Sequence, residues 1–151
     1  MYTSAMDRRI AVRGIIIDDG KLLCLRLKPY RHKDASTYWC TPGGGVDVGE
    51  ALVPALEREI HEELGIHPVV GNLLYVQQFI HKDIEQMEFF FLITNGEDYL
   101  HVDLAATTHG KDEIEEVSFL NPAGEHVLPE FLQSEKFDNL ENQATKFFNY
   151  L

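Results

Sequence analysis

The sequence predicts an α/β (α+β) fold, a mixed β-sheet sandwiched between α-helices, with residues 1–151 forming a single domain. Three observations predict it. An alternating apolar hairpin opens the chain. One amphipathic helix follows a glycine-rich turn. Further apolar runs of strand length come next, followed by a C-terminal segment of helical character.

The elements follow in order. "RIAVRGIIIDDGKLLCLRLK" reads as two strands around Asp18, Asp19 and Gly20, a strong hairpin signal. "PYRHKDAST" is a polar loop. "YWCTPGGGVDVGE" is a short strand and then a Pro-Gly-Gly-Gly turn. Residues 51–64 read as a helix. Pro54 stands near its start, where a missing N–H does least harm. Gly65 is its stop and Pro68 follows. Val53, Leu56, Ile60 and Leu64 form its apolar stripe. "PVVGNLLYVQQFI" and "QMEFFFLIT" are two further strands. Their alternation leaves room for one of Phe89, Phe90 and Phe91 to face a pocket. "NGEDYLHVDLAATTHGKDE" is irregular, with room for a short strand, and "IEEVSFL" is a strand. The last stretch, residues 128–151, reads as a helical region packing through Leu132, Phe137 and Leu140.

Composition narrows the function. The chain is 44% hydrophobic and 25% charged, ordinary for a globular protein, so a sizeable core is expected. Its 25 acidic and 13 basic residues give a net charge of −12. Such a chain is not drawn to nucleic-acid phosphates, and no nucleic-acid partner is expected. A phosphorylated substrate would need metal ions or a local basic patch. Cys24 and Cys40 form no CxxC pair and read as buried thiols in a reducing compartment. No signal peptide and no run of membrane-spanning length is evident, so a cytoplasmic location without a membrane partner is expected.

The chemistry concentrates in "GGVDVGEALVPALEREIHEELGI". Glu59, Glu62 and Glu63 crowd about one turn on one side of the helix. Like charges at this spacing cost a helix roughly 0.2–0.5 kcal/mol per pair. A cation would offset that repulsion. Hard cations such as Mg²⁺ take oxygen ligands, and a glycine turn can add a backbone carbonyl. Arg58 is placed to orient a neighbouring carboxylate. "KPYRHK" gathers Lys28, Arg31, His32 and Lys33 just upstream, a candidate contact for substrate phosphates. Tyr38 and Trp39 precede the turn. A base could stack there, although Trp39 reads first as core. "HEELGIH" is not HExxH and gives no zinc-protease signal, and helical phase points His61 to solvent.

Gly44, five residues, Glu50, seven residues, then "REIHEELGI" resembles the Nudix box GX5EX7REUXEEXGU, in which U is aliphatic. Every fixed position is matched, and Ile60 and Ile66 fill the aliphatic ones. The flanking "WCTPGGG" and the strand order resemble the Nudix sandwich as well. The resemblance implies hydrolysis of a nucleoside diphosphate linked to another moiety, a small-molecule nucleotide substrate, and Mg²⁺ or Mn²⁺ as cofactor. Carried over, Glu59, Glu62 and Glu63 hold the metal, the carbonyl of Gly43 joins them, and Arg58 and Glu50 orient. Gly44 lies against the substrate. The proton acceptor is Glu59 or, as in other family members, a carboxylate near the last strands, here Glu113 or Glu116 of "DEIEE". Homodimers follow by family analogy alone. Signatures of ADP-ribose, diadenosine polyphosphate and coenzyme A subfamilies are missing, and the acidic chain speaks against mRNA decapping. Two other readings share the fold. One is a nucleotide sensor without turnover, which usually lacks box glutamates. The other is an isopentenyl diphosphate type of isomerase, whose cysteine motif "YWCTPGG" does not resemble.

Overall fold

The computed structural model describes residues 6–29 and 33–151. Strand β1 (Asp7–Asp18) turns into β2 (Lys21–Leu27) with Asp18 opposite Lys21. Asp19 and Gly20 both take positive φ, 50° and 73°, as a two-residue turn matching strand twist requires. The short β3 (Gly43–Gly45) lies antiparallel to β1. β4 (Val70–His81) and β5 (Ile84–Ile93) form a second hairpin around Lys82 and Asp83, again at positive φ. β1 pairs with β5 in parallel over ten residue pairs, and β6 (Ile114–Leu120) pairs antiparallel with β2. The order is β6-β2-β1-β5-β4-β7, with β7 (Lys146–Asn149) parallel to β4 and β3 beside β1. The mixed sheet is therefore as expected.

Helix α1 (Leu52–Leu64) ends where Gly65 adopts φ 76° and donates its N–H to the carbonyl of His61 at 2.9 Å. The helix buries Ala55, Leu56, Ile60, Glu63 and Leu64, whereas Val53 is exposed. The expected stripe is thus rotated toward Ala55 and Glu63 and leaves Val53, in the first turn, outside it. Leu56, Ile60 and Leu64 pack with Val12, Ile16, Leu25 and Phe91 on one sheet face. A second core on the other face holds Ile15, Cys24, Leu74, Tyr75, Phe90 and Phe131. Period-two alternation divides β1 in this way, Val12 and Ile16 under the helix and Ile15 opposite.

Two expectations are corrected here. The C-terminal stretch is not helical throughout. It forms 3₁₀ turns at Glu130–Ser134 and Leu140–Asn142 and ends in β7. Asn139 at φ 54° interrupts any helix between Phe137 and Leu140, although their spacing suits one. The alternation within "KFFN" fits a strand, with Phe148 stacked on Phe131 at 4.1 Å while Phe147 is exposed. Residues 95–113 carry 3₁₀ turns at Gly96–Tyr99 and Leu104–Ala106 and a single helical turn α2 (Gly110–Glu113), with no strand. Leu132 and Leu140 are nonetheless buried, and Phe137 packs against the same core. Trp39 sits partly buried at the edge of the second core with the Arg26 guanidinium 4.8 Å above its ring. No helix among the described residues is long and apolar enough to cross a membrane.

Candidate active site

The glycine strand and α1 meet face to face. Gly43 takes φ 140°, where a side chain would run into the β1 backbone. Its N–H donates to Glu63 Oε1 at 2.8 Å. A Cβ on Gly44 would stand 2.5 Å from Glu59 Cδ, so a hydrogen there is what lets that carboxylate rest on the strand. Glu59 and Glu63, one turn apart, thus stack along the same edge of α1. Glu62 lies about 100° round the helix from Glu63.

The loop before α1 is held by Glu50. Arg58 donates to both its oxygens, Nε to Oε2 and NH2 to Oε1, each at 2.9 Å, and Asp47 N–H adds a third contact at 3.1 Å. Those hydrogen bonds, Arg58's first, hold Glu50 below the usual carboxylate range. The remaining Arg58 nitrogen donates to Glu59 Oε1 at 3.0 Å and lies 3.5 Å from Glu62. Arg58 therefore ties the loop to the helix and partly offsets the crowding of carboxylates.

Glu63 is only 7% exposed. Burial pushes its carboxyl up to about 8, against the pull of Gly43 N–H and Arg13 and with the help of Glu59 and Glu113. Burial also raises Glu59, with Arg58 opposing. Both face a cavity of about 380 Å³ lined also by Gly43, Gly44, Gly45, Thr41, Arg9, Arg13 and Glu113. Stacked, desolvated carboxylates over a glycine backbone are a donor set suited to a hard divalent cation. Among the described residues no three His, Cys, Asp or Glu side chains already converge as a ligand cluster. The reason is visible in their partners: Glu62 is turned to His109 Nδ1 at 3.0 Å, Glu63 to Gly43 N–H and Glu59 to Arg58.

The other candidates separate. Glu113, at the end of α2, lines the cavity, and its carbonyl accepts from Lys28 N–H at 2.9 Å. Glu116 faces Arg26 across β2 and β6, pairs with it, and stands off the cavity. Lys28 Nζ donates to the Lys111 carbonyl at 2.8 Å and Lys33 is exposed, and neither is among the residues lining this cavity. Arg31 and His32 lie outside the described residues. His61 stacks on His67 with ring centroids 3.9 Å apart.

A second cavity, about 460 Å³, shares Arg13, Leu27, Cys40 and Thr41 with the first. Tyr38, Phe79 and Tyr150 give it aromatic walls. Phe89, Phe90 and Phe91 do not line it. They pack into the two cores instead. Buried Gln77 and Glu88 also line this cavity. Glu88 Oε1 accepts from Gln77 Nε2 at 2.8 Å and Oε2 from Arg13 NH2 at 3.1 Å. Burial alone would raise Glu88, but Arg13 and Gln77 outweigh it and hold the group below its ordinary value. Both cysteines are free thiols. Cys24 is buried, while Cys40, on the shared wall, is only partly covered yet pushed up to about 12 by burial. Sequence reasoning missed Arg9, Arg13 and His109. The signal for the arginines is a charge at every fourth residue on a strand whose opposite face is apolar.

A family model described as NUDIX domain matches residues 7–140. An ADP-ribose pyrophosphatase from Methanocaldococcus jannaschii is 39% identical over 75 residues, 50% of this chain and 43% of that protein. An RNA pyrophosphohydrolase from Francisella tularensis subsp. mediasiatica is 53% identical over 32 residues, 21% of each chain. The matched segments thus span less than half the length of these curated relatives. The solved MutT protein from Methanosarcina mazei Go1 superposes with TM-score 0.68 at 24% identity, over 86% of this chain and 91% of that one, and shares the fold.

Proposed function

The chain belongs to the NUDIX family, and from that membership we infer that it hydrolyses the pyrophosphate bond of a small nucleoside diphosphate derivative with a divalent cation bound. One observation carries the reading: Glu59, partly buried, and Glu63, buried, stack against the glycine strand at the rim of a cavity that has room for phosphates. We read residues 1–151 as one such domain, in keeping with the reach of the family model.

Glu59, Glu63 and the Gly43 carbonyl would hold Mg²⁺ or Mn²⁺, with Glu62 joining once it turns from His109. When bound there, such an ion would supply charge neutralisation for the diphosphate and a more acidic water. Arg58 orients Glu59 and Glu62 while holding the loop through Glu50. Glu113 supplies a carboxylate from outside the helix that can take the water's proton, and Glu59 is the alternative acceptor. Glu116, paired with Arg26, stands off the cavity, so position favours Glu113 over it as the acceptor. The aromatic cavity suits a nucleobase. The names of the relatives differ in substrate, ADP-ribose in one and RNA in the other, so they do not choose among nucleotides. The net charge of −12 favours small substrates over RNA.

The test is product identification from a panel of nucleoside diphosphate derivatives with Mg²⁺ and with Mn²⁺. Phosphate-bond cleavage lost in Glu59→Gln, with the fold intact by circular dichroism, is the expected result. Ligand binding without product would replace the hydrolase reading with a nucleotide sensor, and a rearranged double bond in a diphosphate substrate would indicate an isomerase.

A further inference from the structure

Resting on that hydrolase reading, we propose that Arg9 binds the free terminal phosphate of the substrate and so selects nucleoside polyphosphates over nucleotide conjugates that end in a neutral sugar.

Arg9 and Arg13 share one face of β1, about 13 Å apart along the strand. Their circumstances differ. Arg13 sits on the wall common to both cavities and is committed to Glu88. Arg9 lines only the cavity that holds Glu59 and Glu63. Its NH2 lies 3.5 Å from where a Gly45 Cβ would stand. Among the described residues its guanidinium makes no hydrogen bond and no ion pair. Its neighbour Arg8 is the one that pairs with Glu85. Burial first, and then the charge of Arg13, hold Arg9 below the usual guanidinium range, with Glu88 and Glu59 opposing.

Although its net charge is −12, the chain thus sets an exposed guanidinium with no hydrogen bond among the described residues at a cavity that also holds Arg13, the glycine strand and the carboxylates Glu59, Glu63 and Glu113. The order of the two cavities gives that cation a meaning. A nucleobase in the aromatic cavity would bring the first phosphate to the wall the two cavities share and the next beside Glu59 and Glu63. Whatever lies beyond meets Arg9. A terminal phosphate satisfies it by bidentate hydrogen bonds, and a ribose does not.

The experiment compares nucleoside 5′-triphosphates with ADP-ribose, Mg²⁺ present, for the native chain and for Arg9→Gln and Arg9→Lys. The native chain should favour its best triphosphate about 10–100-fold in kcat/KM, the scale of one charge-assisted hydrogen-bonded contact. Arg9→Gln should lose most of that preference through a raised triphosphate KM, with ADP-ribose changed less than about twofold, and Arg9→Lys should recover part of it. An equal loss on both substrates in Arg9→Gln, no loss on either, or a native preference for ADP-ribose overturns the assignment while leaving the hydrolase reading intact. Absence of turnover on every substrate removes both.

Discussion

Replacing Glu63 by Gln should stabilise the metal-free protein, and by an amount that depends on pH. The folded carboxyl titrates near 8 against an ordinary 4.5, chiefly because it is buried. A carboxyl raised on folding favours the native state fully below about pH 4.5 and loses that contribution as pH climbs through about 8. The amide introduced by Glu63→Gln carries no such charge and keeps an oxygen for Gly43 N–H. The stability of the variant relative to the native chain should therefore grow by about 1.4 kcal/mol per pH unit across this window, reaching on the order of 5 kcal/mol. A constant offset from the extra amide donor moves both ends equally and leaves the slope. Urea denaturation in EDTA, from about pH 4.5 to about pH 9, measures it. Saturating Mg²⁺ or Mn²⁺ should shrink the gap, because the ion compensates the native carboxylate and has lost a ligand in the variant. A gap that stays flat with pH would refute the argument that Glu63 is a desolvated, ionisable ligand.

Gly44→Ala puts a methyl group 2.5 Å from Glu59 Cδ. Turnover should fall about 100-fold, as when one transition-state contact is removed, with little change in the urea midpoint. Arg58→Lys forfeits the paired hydrogen bonds to Glu50. Because that side chain is about one-third exposed, stability should drop by only about 1 kcal/mol, while turnover falls about 10–100-fold as the carboxylates lose their orienting partner. Leu56→Ala, at a fully buried site under the sheet, should cost about 2–5 kcal/mol in chemical denaturation and leave KM for the surviving folded enzyme unchanged.

Local rules made much of this molecule legible. Asp19-Gly20, the stop at Gly65 and the strand of residues 114–120 each follow from backbone preference or alternation within a few residues, and each stands where it was expected. The glycine–glutamate spacing points to the candidate site for the same reason, since one helix and one strand carry it. The parts that eluded the sequence depend on distant partners. Phe148 belongs to a strand because β4 offers an edge and Phe131 a ring to stack on, facts that residues 128–151 alone do not contain. Glu113 and Glu116 look alike in the chain, yet register places Arg26 opposite one of them and leaves the other at the cavity. Arg9 and Arg13 read as ordinary polar residues of a strand until the glycine strand and α1 close a chamber over them.

β1 does two jobs with alternate residues, apolar packing under α1 on one side and guanidinium groups toward the cavities on the other. Adding or deleting a single residue inside it would swap these assignments, sending Arg13 beneath the helix and Val12 into the chamber. Insertions are thus barred from this segment while point changes at its cavity-facing positions remain open, so descendants of this sequence can acquire new substrates there by substitution, and longer additions must enter at the loops.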